Sequence, residues 1–507
     1  MMLEFDTPNQ AANWLRSRVS GTICSDSRKL RAGDGFIAWP GAASDARRFV
    51  EAALAQGAKA CLVERSGVEA YRFASDSVAA YAGLKAASGP IAAAYYEQPS
   101  QQLDLLAVTG TNGKTSTVWW LAQALSHLKQ VAPIPCAMVG TLGIGSVPNV
   151  VATGLTTPDP VLLQQSFRRL VGEGFKACAI EASSIGIEER RLDGCQIRCA
   201  IFTNLTQDHL DYHGTMDAYW QIKARLFTWP GLQAAVVNID DAQGCWLAGE
   251  LTALDLWTVS CSAAARLRAS DIRYDAQGLS FEVREGAQCH RLQTRLIGLY
   301  NVSNLLGVMA AMRAIGVPLV AVVEACSRLT PVPGRMELVS GVAASVGVRP
   351  LVAVDYAHTP DALGQALLAL RSLAKQRGGQ LWCVFGCGGD RDASKRPLMG
   401  AMATKHADRV VVTSDNPRSE KPEAIISQIL LGMNGRAPAM VQPDRALAIR
   451  DALSLASAND VLLIAGKGHE DYQEVAGQRT AFSDFDHVRR ALDAWVEPAP
   501  VLGAVHG

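Results

Sequence analysis

Between residues 103 and 128 the chain runs from a short apolar stretch, Leu103 to Val108, through Thr109-Gly-Thr-Asn-Gly-Lys-Thr-Ser116 into an apolar-periodic stretch, Thr115 to Leu128. Strand, glycine-rich turn and helix in that order point to an α/β architecture. The strand belongs in a mostly parallel sheet, and the turn lies at its carboxyl end, where such sheets bind ligands. Gly110 and Gly113 let backbone N–H groups turn towards an anion, and the helix N-terminus adds its positive field. Lys114 can reach the β- and γ-phosphates of a nucleotide, and the Thr115 hydroxyl can ligate Mg²⁺. Thr111, Asn112 and Ser116 complete the cradle. The spacing Gly-x-x-Gly-Lys-Thr is shorter than the general phosphate-loop pattern, and the competing reading is a helix entry that merely contains a lysine. The flanking strand and helix favour a nucleoside triphosphate site. What its energy drives is not written in the loop.

The 507 residues exceed a single hydrophobic core, so about two to four domains are expected. Residues 1 to 100 mix apolar runs (Phe36 to Trp39, Ala60 to Val63) with glycine-rich turns and predict a small α/β domain. Strand candidates Ala177–Glu181, Cys199–Thr203 and Ala234–Asn238 alternate with helical segments, as in a doubly wound sheet. Pro331, Pro333 and Gly334 break a helical stretch and mark the next boundary. Beyond it, Leu351–Asp355, Leu381–Phe385, Arg409–Thr413 and Val461–Ala465 each end in a turn before a helix, a Rossmann-like pattern. The expected domains are 1–100, 101–332 and 333–507.

Lys plus Arg and Asp plus Glu both number 48, so no net field draws the chain to nucleic acid or a membrane surface. No basic, aromatic-interleaved stripe suggests a nucleic-acid-binding ATPase. The start MMLEFDTPNQ lacks a basic region followed by an apolar run, and no uncharged apolar stretch is long enough to span a bilayer. The twelve Cys show no paired zinc spacing; Cys195/Cys199 and Cys383/Cys387 lack completing ligands. They are expected to be reduced core residues of a cytoplasmic protein.

Glu181 ends a strand-like run, and residues 203–214 read Thr-Asn-Leu-Thr-Gln-Asp-His-Leu-Asp-Tyr-His-Gly. Glu181 and His209 could hold a phosphate-bridging metal; each also has a plainer reading, as a helix cap and as an ordinary histidine. Lys223, in Tyr-Trp-Gln-Ile-Lys-Ala-Arg-Leu-Phe, reads by itself as a solvated helical lysine.

Together with Thr156-Thr-Pro158, Pro333-Gly-Arg-Met-Glu337, Asp355-Tyr-Ala-His-Thr-Pro360, Gly386-Cys-Gly-Gly-Asp-Arg391, Asp415-Asn-Pro-Arg418 and Gly466-Lys-Gly-His-Glu470, these blocks occur in the order found in the Mur ligases, which the chain resembles from about Asp26 to Phe485. The resemblance implies a uridine-nucleotide-binding domain, a central ATPase domain and a C-terminal domain that carries in the amino acid. It implies ATP-driven amide formation through an acyl phosphate in peptidoglycan synthesis. Its closest branch adds meso-diaminopimelate to the D-glutamyl γ-carboxylate of UDP-N-acetylmuramoyl-L-alanyl-D-glutamate. ATP and Mg²⁺ are the implied cofactors, the partners are these small molecules, and the expected state is a monomer. Carried over by position, Lys114 and Thr115 serve the phosphates, and Glu181, His209 and Thr115 the metal. Lys223 matches a lysine that is carbamylated in the family. Asn301 and Asn304 match adenine-side asparagines, Arg335 and Lys395 the cations brought to the nucleotide by C-terminal closure. Asp355 and His358 belong to the active-site block.

Diaminopimelate carries a second amino-acid head that lysine lacks, and a bidentate arginine suits its extra carboxylate. Arg418 matches that residue, with Arg391, Asp415, Asn416, Pro417, Gly466 and Glu470 around it; read alone, Arg418 is a surface turn arginine. On the nucleotide-sugar side Ser27, Thr156, Thr157, Ser184 and Arg191 are retained. Ala42 and Ile185 stand where relatives carry histidine, and Glu189 where a glutamine is usual. A glutamate near a diphosphate is unfavourable unless turned away or paired. Three rival readings are a lysine-adding relative, a folate-type polyglutamate ligase and a non-catalytic nucleotide-binding regulator. The Asp415–Arg418 block speaks against the first two, and retention of Lys114, Glu181 and Lys223 against the third.

Overall fold

The structure is a computed structural model and describes residues 2–41, 44–73, 75–275, 278–340 and 349–498. Three sheets follow one another along the chain. The first has five parallel strands in the order Leu3–Phe5, Val78–Tyr81, Ala60–Glu64, Gly35–Ala38, Ile23–Cys24. The second has eleven strands, and its middle is parallel: Asp104–Thr109 lies between Ala177–Glu181 and Cys199–Phe202. The third has six strands, with Leu351–Asp355, Val461–Ala465 and Leu381–Phe385 adjacent and parallel at its centre.

Burial on both faces explains the near-continuous apolar runs of the central strands. Leu106 and Val108 face a core with Trp120, Leu121 and Leu305, whereas Leu105 and Ala107 face one with Phe167 and Leu170. The helix Lys114–Ser126 is buried along almost its whole length, and Trp120 Nε1 donates to the Thr330 carbonyl at 3.0 Å. Its start one residue before the expected Thr115 puts Lys114 in the first turn.

Expected strands Ala177–Glu181, Ala234–Asn238, Leu351–Asp355, Leu381–Phe385 and Val461–Ala465 form as read. Cys199–Phe202 and Arg409–Val412 stop one residue short of expectation. Antiparallel additions were not anticipated: Leu267–Asp275, Gly278–Glu285 and Gln288–Thr294 extend one edge of the central sheet. The hairpin of Tyr472–Val475 and Gln478–Ala481 follows the last parallel strand of the third sheet. The cysteine expectation holds for eight positions, Cys61 among them, but Cys245 and Cys289 are exposed and Cys24 and Cys261 half-buried. Among the described residues no helix is long and apolar enough to cross a membrane.

Candidate active site

Asp104–Thr109 pairs on one side with a strand later in sequence and on the other with the next one, so the sheet's winding reverses at this strand. The crevice above such a strand is the natural ligand site. Gly110 (φ +141°) and Gly113 (φ +86°) shape the turn, and a Cβ at Gly113 would come within 2.3 Å of Asn304 Oδ1. Lys114 Nζ donates to the carbonyls of Gly110 and Thr111 at 2.9 and 2.8 Å, folding its ammonium back over the loop. Burial lowers its pKa. Residues 203–206 brace the loop: Thr203 Oγ1 donates to the Asn112 carbonyl (2.6 Å), Asn112 N donates to Asn204 Oδ1 (2.9 Å), and Thr111 Oγ1 to the Thr206 carbonyl (3.0 Å).

Above the loop lies a cavity of about 470 Å³ lined by Thr111 to Ser116, Glu181, His209, Lys223, Asn301, Asn304, Arg335, Asp355 and His358. Lys223, on helix Met216–Ala224, is not the solvated lysine it resembles in isolation: it is 1% exposed, and Nζ donates to the Gly110 carbonyl at 2.8 Å. Burial, and then Lys114 beside it, push its pKa well down, towards a neutral, nucleophilic amine. Glu181 is not a helix cap; its carboxylate accepts from Thr141 N (2.8 Å) and Thr141 Oγ1 (3.2 Å). His209 sits at φ +55°, and burial pushes its pKa down to about 4, with Lys114 and Lys223 acting in the same direction. A neutral imidazole, a carboxylate and the Thr115 hydroxyl thus share one cavity. Among the described residues no three His, Cys, Asp or Glu converge as a cage. This sparse oxygen and nitrogen set fits Mg²⁺ carried chiefly by phosphates and water.

The third sheet contributes directly. Arg335 Nη2 donates to Thr115 Oγ1 at 3.4 Å, and its guanidinium lies 4.2 Å from the Tyr356 ring centroid. Asp355 is buried and accepts from Met336 N (2.6 Å) and Ala357 N (2.8 Å), which shapes the turn, while burial raises its pKa. His358 and Lys395 both reach Asp208, at 3.5 Å each, and His209 Nε2 lies 3.5 Å from the same carboxylate. Burial alone would raise the Asp208 pKa; His358, His209 and Lys395 hold it well below the usual range. Asn301 Nδ2 donates to the Ile297 carbonyl (2.7 Å), and Asn304 Nδ2 to Asn301 Oδ1 (2.9 Å), so the two form one buried unit.

A second group of predicted residues gathers on the turns after Leu381–Phe385, Arg409–Val412 and Val461–Ala465. Arg418 adopts φ +52°; Nη1 donates to the Gly389 carbonyl at 2.7 Å, and its backbone N–H to the Glu474 carbonyl at 3.0 Å. Among the described residues no carboxylate pairs with it. Pro417 and Asp415 are buried in the same turn, and a Cβ at Gly466 would meet Asp415 Oδ2 at 2.3 Å. Asn416 Nδ2 donates to Glu470 Oε2 at 2.8 Å. Arg391 is exposed, with Nη1 on the Asp390 carbonyl.

Residues 108–312 match the Mur ligase middle domain, and residues 334–468 the Mur ligase, glutamate ligase domain. A UDP-N-acetylmuramoyl-L-alanyl-D-glutamate–2,6-diaminopimelate ligase of Acidovorax sp. is 60% identical over 96% of this chain and 97% of its own length. The chain belongs to the Mur ligase family. A solved ligase of the same name is 37% identical with a TM-score of 0.62, covering 93% of this chain and 94% of that one. A MurF ligase from Thermotoga maritima, solved in complex with ADP, shares the fold: TM-score 0.65, 17% identity, coverage of 93% and 97%.

In this Mur ligase the nucleotide-sugar candidates are dispersed. A cavity of about 520 Å³ between the first and second sheets is lined by Thr22 to Asp26, Arg28, Thr153, Leu155 and Gln165. Ser27 is half-buried beside it but is not part of its lining. Thr156 and Ser184 line the phosphate-loop cavity; Ser184 Oγ lies 3.0 Å from His213 Nε2. Thr157 is fully buried and donates to the Glu181 carbonyl at 2.7 Å, and Arg191 Nη1 donates to the Thr157 carbonyl at 3.0 Å. Glu189 is paired: Oε2 lies 2.7 Å from Lys85 Nζ, and Oε1 accepts from Tyr212 Oη at 2.9 Å. The Lys85 hydrogen bond holds its pKa below the usual range. Ile185 is half-buried on its short helix, and Ala42 lies outside the described residues.

Sequence reasoning missed Asp208, Lys85 and Lys467. Asp208 adjoins His209 inside a block already singled out, so an acid directly before a candidate ligand was the available signal. Lys467 lies within Gly466–Glu470 and is 0% exposed. Lys85 had no signal, because its partner is over a hundred positions away.

Proposed function

We propose that the chain is an ATP-dependent ligase that adds meso-diaminopimelate to the D-glutamyl γ-carboxylate of UDP-N-acetylmuramoyl-L-alanyl-D-glutamate in peptidoglycan synthesis. The observation that carries this reading is Arg418 beside Asn416, its guanidinium bonded to the Gly389 carbonyl and without a carboxylate partner among the described residues, on the loops of the third sheet that also bring Arg335 to the phosphate-loop cavity and Lys395 to Asp208. The Acidovorax relative bearing that activity in its name supports it over nearly the full chain.

A carboxylate is a poor electrophile. Transfer of the γ-phosphoryl group of ATP to its oxygen gives an acyl phosphate and ADP. The diaminopimelate amine then attacks the acyl carbon, and the tetrahedral adduct expels inorganic phosphate to leave the amide. Lys114 and the loop N–H groups hold the β- and γ-phosphates, with Arg335 and Lys395 countering charge that builds during transfer. Thr115, Glu181, His209 and a carbamylated Lys223 would hold Mg²⁺, which when bound neutralises phosphate oxygens. The lowered pKa of Lys223 favours the free amine that carbamylation requires. Asn301 and Asn304 serve the adenine side. Thr156, Ser184 and Arg191 orient the glutamyl end, and Arg391, Asp415, Arg418, Gly466 and Glu470 the incoming amino acid.

Residues 1–100 are assigned to the uridine nucleotide, 101–332 to ATP and 333–507 to the amino acid, one sheet to each. The reading includes a monomer in the cytoplasm. The test is phosphate release with ATP, Mg²⁺ and the UDP-muramoyl dipeptide, with meso-diaminopimelate and L-lysine offered separately. Turnover with diaminopimelate alone is expected; turnover with lysine overturns the specificity, and turnover with neither overturns the ligase.

A further inference from the structure

Lys467 lies in the turn after strand Val461–Ala465, flanked by Gly466 (φ +118°) and Gly468 (φ +53°). Its side chain is 0% exposed, and Nζ donates to Asn416 Oδ1 and to Glu470 Oε2, both at 3.0 Å. Asn416 Oδ1 also accepts from Glu474 N at 3.0 Å. Both partners of that oxygen are donors only, so the Asn416 amide nitrogen must face Glu470, to which it donates at 2.8 Å. Glu470 Oε2 is therefore fully engaged, and among the described residues Oε1 accepts nothing.

The buried Lys467 and the half-buried Glu470 form an ion pair whose charges cancel. Among the described residues the half-buried Arg418 guanidinium of this pocket has no carboxylate partner, and its backbone N–H is tied to the carbonyl of the same Glu474. A pocket with this balance suits a head that brings its own carboxylate to Arg418 while its ammonium meets the open Glu470 oxygen. A bare ammonium meets a glutamate already neutralised and an uncompensated guanidinium. We propose that Lys467 is a positioning residue that sets amino-acid specificity: by neutralising and orienting Glu470, it makes the pocket reject a lone ammonium and require a zwitterionic head. This rests on the ligase reading above.

The experiment measures kcat and KM for meso-diaminopimelate and L-lysine, at saturating ATP and UDP-muramoyl dipeptide, in the full chain and in Lys467→Met and Glu470→Gln. In K467M the uncompensated glutamate attracts the lysine ammonium. The diaminopimelate-to-lysine ratio of kcat/KM is expected to fall by at least about tenfold, through KM, with KM for ATP within about twofold of wild type. E470Q leaves the pocket more positive, so KM for diaminopimelate rises while lysine use stays at or below wild type. A proportional loss with both amino acids in K467M, or gained lysine use in E470Q, overturns the proposal. Thermal melts come first; if K467M does not fold, E470Q decides alone. Wild-type turnover with neither diamine overturns the ligase reading itself, which an unchanged ratio in K467M leaves standing.

Discussion

At the residue scale, two lysines beside one loop do different work. Lys114 is poised on the loop carbonyls, free to turn to an incoming phosphate, whereas Lys223 is buried behind it. Lys114→Ala should lower turnover by about three orders of magnitude or more, as expected when a group countering phosphoryl-transfer charge is lost. Its melting temperature should stay near wild type, because the Gly110 carbonyl keeps its bond from Lys223 when Lys114 is lost; phosphate release and a thermal melt check both. Glu189 offers a sharper contrast. Its carboxylate is held by Lys85 and Tyr212, so Glu189→Gln should leave kcat/KM for the nucleotide-sugar substrate within about threefold, the loss of a half-exposed ion pair being worth under about 1 kcal/mol. An improvement of tenfold or more would mean that the charge faces the substrate diphosphate. Arg418→Ala should raise KM for diaminopimelate by about two orders of magnitude, the value of a charge-assisted pair, and leave KM for ATP alone.

At the scale of elements, turns at strand ends do the positioning. Gly113 is held at φ +86° with Asn304 Oδ1 against it, so Gly113→Ala must strain the backbone by about 1–3 kcal/mol and displace Asn304. KM for ATP should rise about tenfold or more, and nucleotide titration measures it. The Gly466–Glu470 turn adjoins both proposed sites. Lys467 and Glu470 lie beside the proposed amino-acid pocket, while His469 Nδ1 lies 3.4 Å from Arg335 Nη1, a residue of the phosphate-loop cavity. Burial, with Arg335 and Lys467 adding to it, pushes the His469 pKa down to about 3. Below the ordinary histidine value of about 6.5 the unfolded chain binds a proton that the folded one refuses, so stability falls as pH drops from there towards 3. Denaturant midpoints across that window should show a shallower loss in His469→Gln than in wild type.

At the scale of the whole molecule, the proposed active site lies where the second and third sheets' loops meet. Asp208 gathers His209 from its own loop with His358 and Lys395 from the third sheet. Gln207 Nε2 donates to Ser394 Oγ (3.0 Å), and Asn112 Nδ2 to Asp361 Oδ2 (3.1 Å), along the same seam. Asp208→Asn removes the carboxylate that Lys395, His358 and the neutral His209 share, and leaves the buried Lys395 ammonium without its counter-charge. It should lower kcat/KM for ATP by about ten- to a hundredfold, since a buried cation left unpaired costs several kcal/mol. Small-angle scattering should show a larger radius of gyration for the variant; an unchanged radius with wild-type kinetics would remove Asp208 from the seam.

The chain's own residues determined the local parts. The phosphate loop and the parallel strands on either side of it follow from glycine placement and apolar periodicity, which act over a few positions and need no partner elsewhere, whereas the Asp415–Arg418 block was legible only through its resemblance to the Mur ligases. The strands buried on both faces were legible nearly to the residue because their apolar runs are continuous. The antiparallel edge strands of the central sheet were not, because half-exposed strands of mixed polarity pair only through neighbours distant in sequence. Tertiary structure alone decided the charges. It made Lys223 a buried amine, paired Glu189 with Lys85, and neutralised Glu470 with Lys467. A side chain's protonation and its usefulness depend on desolvation and on charges a few ångströms away, and those neighbours are supplied by the fold.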